Sequence, residues 1–245
     1  MIDTSASATD RWQAESLRAT AFTSRIDLGL PEKCWSLITV DKASDSFVNR
    51  GAGTAQASGH FLDEQLTLGV NAGLRRADML LVPKATEPSA IPRMSLGPVL
   101  AFCDPFVNAA TRFLDPIDAI HRVAFALVAE IPVESRQDGY RLLQGLLATV
   151  TIDPDHSTEL FYQINRPRPS NVVPGLSLNR LSRWNVIKGK MVGQNKLDAA
   201  YCACRVEVDI NSSEALEAPL PKEKISALFV EIAALANEIL AKGDV

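Results

Sequence analysis

An α+β fold of two tandem β-α-β-β(-β)-α units, with antiparallel sheet and helices on one side, is what this sequence predicts. Three observations lead there. The order strand, helix, two or three strands, helix runs through the chain twice. Between the two passes lies Lys84 to Pro98, which holds Pro88, Pro92 and Pro98 and is bordered by Pro83, so regular structure is not expected there. No Gly-rich turn leads from a strand into a helix, which argues against a doubly wound parallel sheet. The expected boundaries are a polar N-terminal arm over 1–16, a first unit over 17–84, a Pro-rich linker over 85–98 and a second unit over 99–245.

The elements follow from local pattern. Leu17 to Leu30 carries β-favouring stretches and reads as a strand, and Pro31 opens a short helix over Glu32 to Ile38, where its missing N–H costs least. Gly51, Gly53 and Gly59 among small residues read as a loop. His60 to Val70 alternates apolar and polar residues, Asn71-Ala72-Gly73 reads as a turn, and Met79 to Val82 closes a hairpin. In the second half, Val99 to Leu114 has helical spacing and His121 to Val133 is a dense apolar strand. Ser135 caps a helix over Gln137 to Leu147. Thr158 to Asn165, Leu176 to Val192 (one strand or two) and Tyr201 to Ile210 read as further strands. Pro221 starts a final helix, with its stripe at Ile225, Leu228, Phe229, Ile232, Leu235, Ala236, Ile239 and Leu240.

The chain's 245 residues, 47% of them hydrophobic and 22% charged, suffice for a real core, and a net charge of −4 argues against a generally basic nucleic-acid binder. Met1 to Asp10 has neither a basic nor an apolar signal region, and no apolar run is long enough to span a membrane, so a soluble, cytoplasmic protein is expected. Cys34, Cys103, Cys202 and Cys204 read as reduced, buried thiols. Cys202 and Cys204 share one strand face at a spacing too short for a zinc or redox pair. No metal site and no cofactor are expected.

One segment departs from the rest. Between Leu160 and Leu197 lie Arg166, Arg168, Arg180, Arg183, Lys188, Lys190 and Lys196, and none of the chain's 29 Asp and Glu. Asn165 and other amides accompany them, with Tyr162 and Trp184 as aromatic surfaces. Arginine forks pair with phosphate or carboxylate oxygens, and Trp184 beside Arg183 has the chemistry to stack on a base. Pro167 and Pro169 stiffen the backbone around Arg166 and Arg168. A partner- or anion-binding surface of Asn165, Arg166, Arg168, Arg180, Arg183, Trp184, Lys188 and Lys190 is therefore the candidate site, with internal neutralisation by the acidic remainder as the plain alternative.

Catalytic signatures are weak. Asp153-Pro154-Asp155-His156-Ser157 gathers two carboxylates, an imidazole and a hydroxyl, yet is also ordinary turn composition. Asp115-Pro116-Ile117-Asp118 followed by His121 reads the same way, and no catalytic residue is assigned. The run Cys204-Arg205-Val206-Glu207-Val208-Asp209-Ile210, the acidic linker after it and the amphipathic helix that follows resemble the end of a sporadically distributed family of uncharacterised bacterial proteins. That resemblance implies no activity. The family's patchy distribution associates it with accessory gene clusters such as phage defence. The expected role is a non-enzymatic subunit of a larger assembly, which binds a protein partner through the basic stretch Arg166 to Lys196 and self-associates or docks by exposed sheet edges. A nucleic-acid or nucleotide binder and a hydrolase with a dispersed site at His121 or His156 are the alternatives.

Overall fold

The structure, a computed structural model, describes residues 11–40, 42–49, 51–84, 95–192, 198–213 and 218–244. Among them are four α-helices and an open antiparallel sheet of eleven strands, so the α+β class holds. In chain order the elements are β1 (Gln13–Thr23), α1 (Leu30–Thr39), β2 (Ser46–Asn49), β3 (Thr54–Phe61), β4 (Glu64–Asn71) and β5 (Arg76–Val82). A two-residue β6 (Gly97–Pro98), α2 (Val99–Leu114), β7 (Ile120–Pro132), α3 (Arg136–Leu146) and β8 (Phe161–Asn165) follow. The chain continues through a two-residue β9 (Arg168–Pro169), β10 (Ser177–Val192), β11 (Asp198–Ser212) and α4 (Ile225–Lys242). The strands lie in the order β2-β3-β4-β5-β1-β7-β11-β10-β8, with β6 on β1 and β9 on β10.

Two-residue alternation decides which side of this sheet is covered. Leu17, Ala19 and Ala21 of β1 and Val123, Phe125, Leu127 and Ala129 of β7 are fully buried. Their neighbours Arg18, Phe22, Ala124, Ala126 and Val128 are only half-buried. The buried face packs on the helices. Phe125 meets Phe106 of α2 at 6.2 Å and Phe229 of α4 at 6.0 Å, the latter edge-on as aromatic quadrupoles prefer. Thirteen-residue β7 thus carries the centre of the core, as its apolar density predicted.

Several elements differ from expectation. The strand placed over Leu17 to Leu30 begins at Gln13 and ends at Thr23, and fully buried Trp12 precedes it. Trp12 donates its indole N–H to the Leu240 carbonyl at 3.0 Å and meets Trp184 edge-on at 6.0 Å, so Trp12 and Ala14 belong to the core and residues 13–16 to β1, while residues 1–10 of the expected polar arm lie outside the described residues. The glycine-containing loop over Gly51 to Gly59 is largely strand β3, because Ala55 and Ala57 bury against the helix layer. Gly59 is the point where Trp35 of α1 lies so close that a Cβ would meet its ring at 2.6 Å. Of the Pro-rich linker, residues 85–94 lie outside the described residues. Its end is pinned to β1 through Leu96 N–H to the Ala14 carbonyl at 2.7 Å.

The helices expected from Val99 and after Ser135 are present. Ser135 Oγ accepts the Asp138 N–H at 3.2 Å, which satisfies one orphan donor of α3. Helix α4 ends at Gly243, whose φ of +79° lets the chain turn under α3, where a Cβ would overlap the Leu146 carbonyl. Asp244 is thereby buried between α3 and the start of β8.

Candidate functional site

Strand period splits the basic segment. Arg180 and Arg183 are three apart on β10 and so face opposite sides of the sheet. On the helix side, Arg180 is only 2% exposed and its Nη2 lies 3.9 Å from Glu238 of α4. Burial pulls its pKa down, the neighbouring Arg168 adds to that, and Glu238 opposes it. Arg168 donates to the same Glu238 at 2.9 Å, and Arg166 lies 3.4 Å from buried Asp244. Burial pushes the Asp244 carboxyl up, but hydrogen bonds from Tyr162 at 2.7 Å, Thr149 at 2.9 Å and Arg166 outweigh it and hold it below its ordinary value. Ser170 and the Asn171 N–H both donate to Glu231 at 2.6 Å, so the Arg-Pro-Arg-Pro-Ser stretch is strapped along the acidic flank of α4.

Arg183, on the other face, donates to Gln163 at 2.8 Å and lies 3.4 Å from Glu207. Asn165 bridges Asn179 and the Arg180 N–H at 3.1 and 2.9 Å. Trp184 is fully buried, its indole N–H held by Ser182 at 2.9 Å, and it is a core residue rather than a stacking platform. Lys188 is exposed beside Arg136, Tyr201 and Cys202. The Lys190 side chain and Lys196 lie outside the described residues. The sequence-predicted residues therefore do not form one solvent-facing surface: the four arginines meet carboxylates of their own chain, and they divide between two faces.

The surface that sequence reasoning missed is the face of the sheet opposite the helices, which no helix covers among the described residues. Across its centre run Arg18 of β1, Ala126 and Val128 of β7, Glu207 and Asp209 of β11, and Leu181 and Arg183 of β10, around a depression of about 120 Å³. Arg205 donates to Glu15 at 2.8 Å and pairs with Glu207, while Arg76 pairs with Asp78 at 2.5 Å. Arg18 differs. Its Nε is buried and its guanidinium has no hydrogen-bond or ion-pair partner among the described residues. The same face is continued by Phe161 of edge strand β8, 68% exposed.

The histidines stay apart. His156 lies in a surface turn, its Nδ1 2.9 Å from Asp153 with the side chain 85% exposed, which is the turn chemistry of that Asp-Pro run. His121 opens β7 beside Arg122. Asp118 pairs instead with Lys222 at 2.8 Å. Burial pushes the Cys34 and Cys204 thiols up to about 12 and Cys103 up to about 11, so these three are inert thiols packed in the core. Among the described residues no three His, Cys, Asp or Glu converge in a metal-binding group, and no helix is long and apolar enough to cross a membrane.

Comparison with known protein families, with curated proteins and with solved structures finds no match to this chain.

Proposed function

We propose that this chain is a non-enzymatic binding subunit whose protein partner sits on the uncovered face of the sheet. The observation that carries this reading is Arg18, a half-buried guanidinium that has no acceptor among the described residues, at the centre of a face that none of the described helices covers. A buried donor left unpaired costs about 1–3 kcal/mol, and a partner carbonyl or carboxylate over the depression would recover it. Apolar residues beside Arg18 (Ala126, Val128 and Leu181) give that partner a surface to exclude water from.

Charge favours a protein over nucleic acid. Arg76, Arg183 and Arg205 already meet Asp78, Glu207 and Glu15 on this face, so it lacks the uncompensated positive stripe that phosphate neutralisation needs. In the same reading the chain is two β-α-β-β(-β)-α units joined edge to edge, because the antiparallel β1–β7 pair divides the strand order into one half from each unit.

Affinity capture from native cells, comparing the wild type with Arg18→Ala and Ala126→Arg, tests the reading. Both variants should lose the partner, and the wild-type complex should persist from about 50 to 200 mM salt, where phosphate-driven binding falls steeply. A Lys222→Glu variant on the helix side should keep it. Retention of the same partner by Ala126→Arg, or release of nucleic acid from the wild type by modest salt, would overturn it.

A further inference from the structure

Where β1 ends and β7 begins, the chain builds a cleft of about 550 Å³ lined by Phe22, Thr23, Ser24, Leu74, Arg75, His121 and Arg122. Its volume lies within the ~300–1,000 Å³ typical of small-molecule sites. The walls are fixed by backbone bonds: Thr23 N–H to the Arg75 carbonyl at 2.9 Å and Ser24 N–H to the Ala119 carbonyl at 3.3 Å. Thr23 Oγ1 also donates to the Asp118 carbonyl at 2.5 Å. Arg75 and Ala119 hold left-handed backbone at φ +48° and +49°, a conformation that costs a non-glycine residue energy and needs such bonds to maintain it.

The chemistry inside is one-sided. Two arginines, an imidazole and a serine hydroxyl line the cleft, and no carboxylate does among the described residues. The nearby acids are engaged elsewhere: Asp118 with Lys222, Asp78 with Arg76, and Asp209 as acceptor from Asn211. The side chains of Arg75 and His121 make no hydrogen bond or ion pair among the described residues. Arg122 is aimed rather than loose: its Nη2 donates to Asn211 at 2.9 Å and its guanidinium lies 5.1 Å over the Phe22 ring. Leu74, 63% exposed, completes an apolar wall. A planar group can extend the Phe22–Arg122 stack while an attached anion reaches Arg75 and His121.

We propose that this cleft binds a small aromatic anion, its ring against Phe22, Leu74 and the Arg122 plane and its carboxylate or phosphate at Arg75 and His121. The inference does not rest on the protein-binding reading. The sheet-face depression and this cleft share no residue.

Titration of the full chain with phenyl phosphate, benzoate and inorganic phosphate, followed by amide resonances, tests it. Phenyl phosphate or benzoate should shift the signals of Phe22 to Ser24, Arg75, His121 and Arg122. Arg75→Gln, on an exposed turn, should unfold like the wild type and weaken that binding by about tenfold or more, the loss of a charge-assisted hydrogen bond. Lys33→Gln, on α1, should leave it unchanged. Absence of these shifts at about 10 mM of either aromatic probe would overturn the proposal. So would equal affinity for inorganic phosphate, which needs no ring contact, or undiminished binding in Arg75→Gln.

Discussion

Asp244 is the residue on which the C-terminal side of the fold turns. Gly243 brings it beneath α3, and Tyr162, Thr149 and Arg166 converge on its carboxylate. Burial favours the neutral acid, and the three donors favour the anion and prevail, so its folded pKa lies below the ordinary 3.8. The sign of the linkage follows. A depressed acid contributes stability that is fully present above 3.8 and is lost as pH falls through the lower, folded value. Glu238 behaves alike, with burial opposed by Arg168, Arg180 and Lys242. Asp244→Asn should therefore cost about 2 kcal/mol at neutral pH and flatten the loss of stability below pH 3.8, measured by urea unfolding across that range. An unchanged acid limb in the variant would show that the carboxylate is not held as described. None of this was legible at Asp244 itself, a penultimate residue with no local pattern. Of its partners, Tyr162 was legible only as an aromatic surface and Arg166 only as a cation in excess, not as a cation already matched.

At the scale of elements, period did most of the predictive work, and it failed where a short-range signal outweighed it. The final helix, the Ser135 cap and the dense β7 strand were readable because burial imposes spacing on sequence. The basic segment misled because its charges were summed along the chain without applying the strand period. Positions 180 and 184 share one face of β10 and 183 the other, which sends Trp184 to the core and Arg180 to Glu238. Strand β3 was hidden by Gly59 within it and by Gly51 and Gly53 before it, since Gly59 signals a loop locally but here admits Trp35. Gly139 of α3 makes the same kind of contact testable. A Cβ there would meet Val186 of β10 at 2.8 Å. Overpacking of that sort costs about 1–3 kcal/mol, while Ala gains about 1 kcal/mol over Gly in a helix. Gly139→Ala should thus destabilise by about 1 kcal/mol in thermal unfolding, and Val186→Ala added to it should recover part of the loss. Stabilisation by Gly139→Ala alone would contradict the close approach of α3 to the sheet.

For the whole molecule, the decisive feature is asymmetry between the two faces of one wide sheet. The four helices of the described residues cover one face, and its aromatic centre at Phe106, Phe125 and Phe229 fixes the arrangement. The opposite face carries mixed charge, apolar residues and Arg18, which has no partner among the described residues. β-Favouring composition in β1 and apolar density in β7 announced strands, but which residues from distant strands would lie side by side depends on the pairing of β1 with β7. That pairing joins Arg18 to Ala126 across more than a hundred residues of sequence and leaves no local trace. Photocrosslinking in native cells, from a benzophenone amino acid placed at Ala126 on the open face or at Val230 on α4, asks directly which face meets a partner. Specific adducts from position 126 and none from position 230 are the predicted result. Adducts from 230 alone would contradict the account.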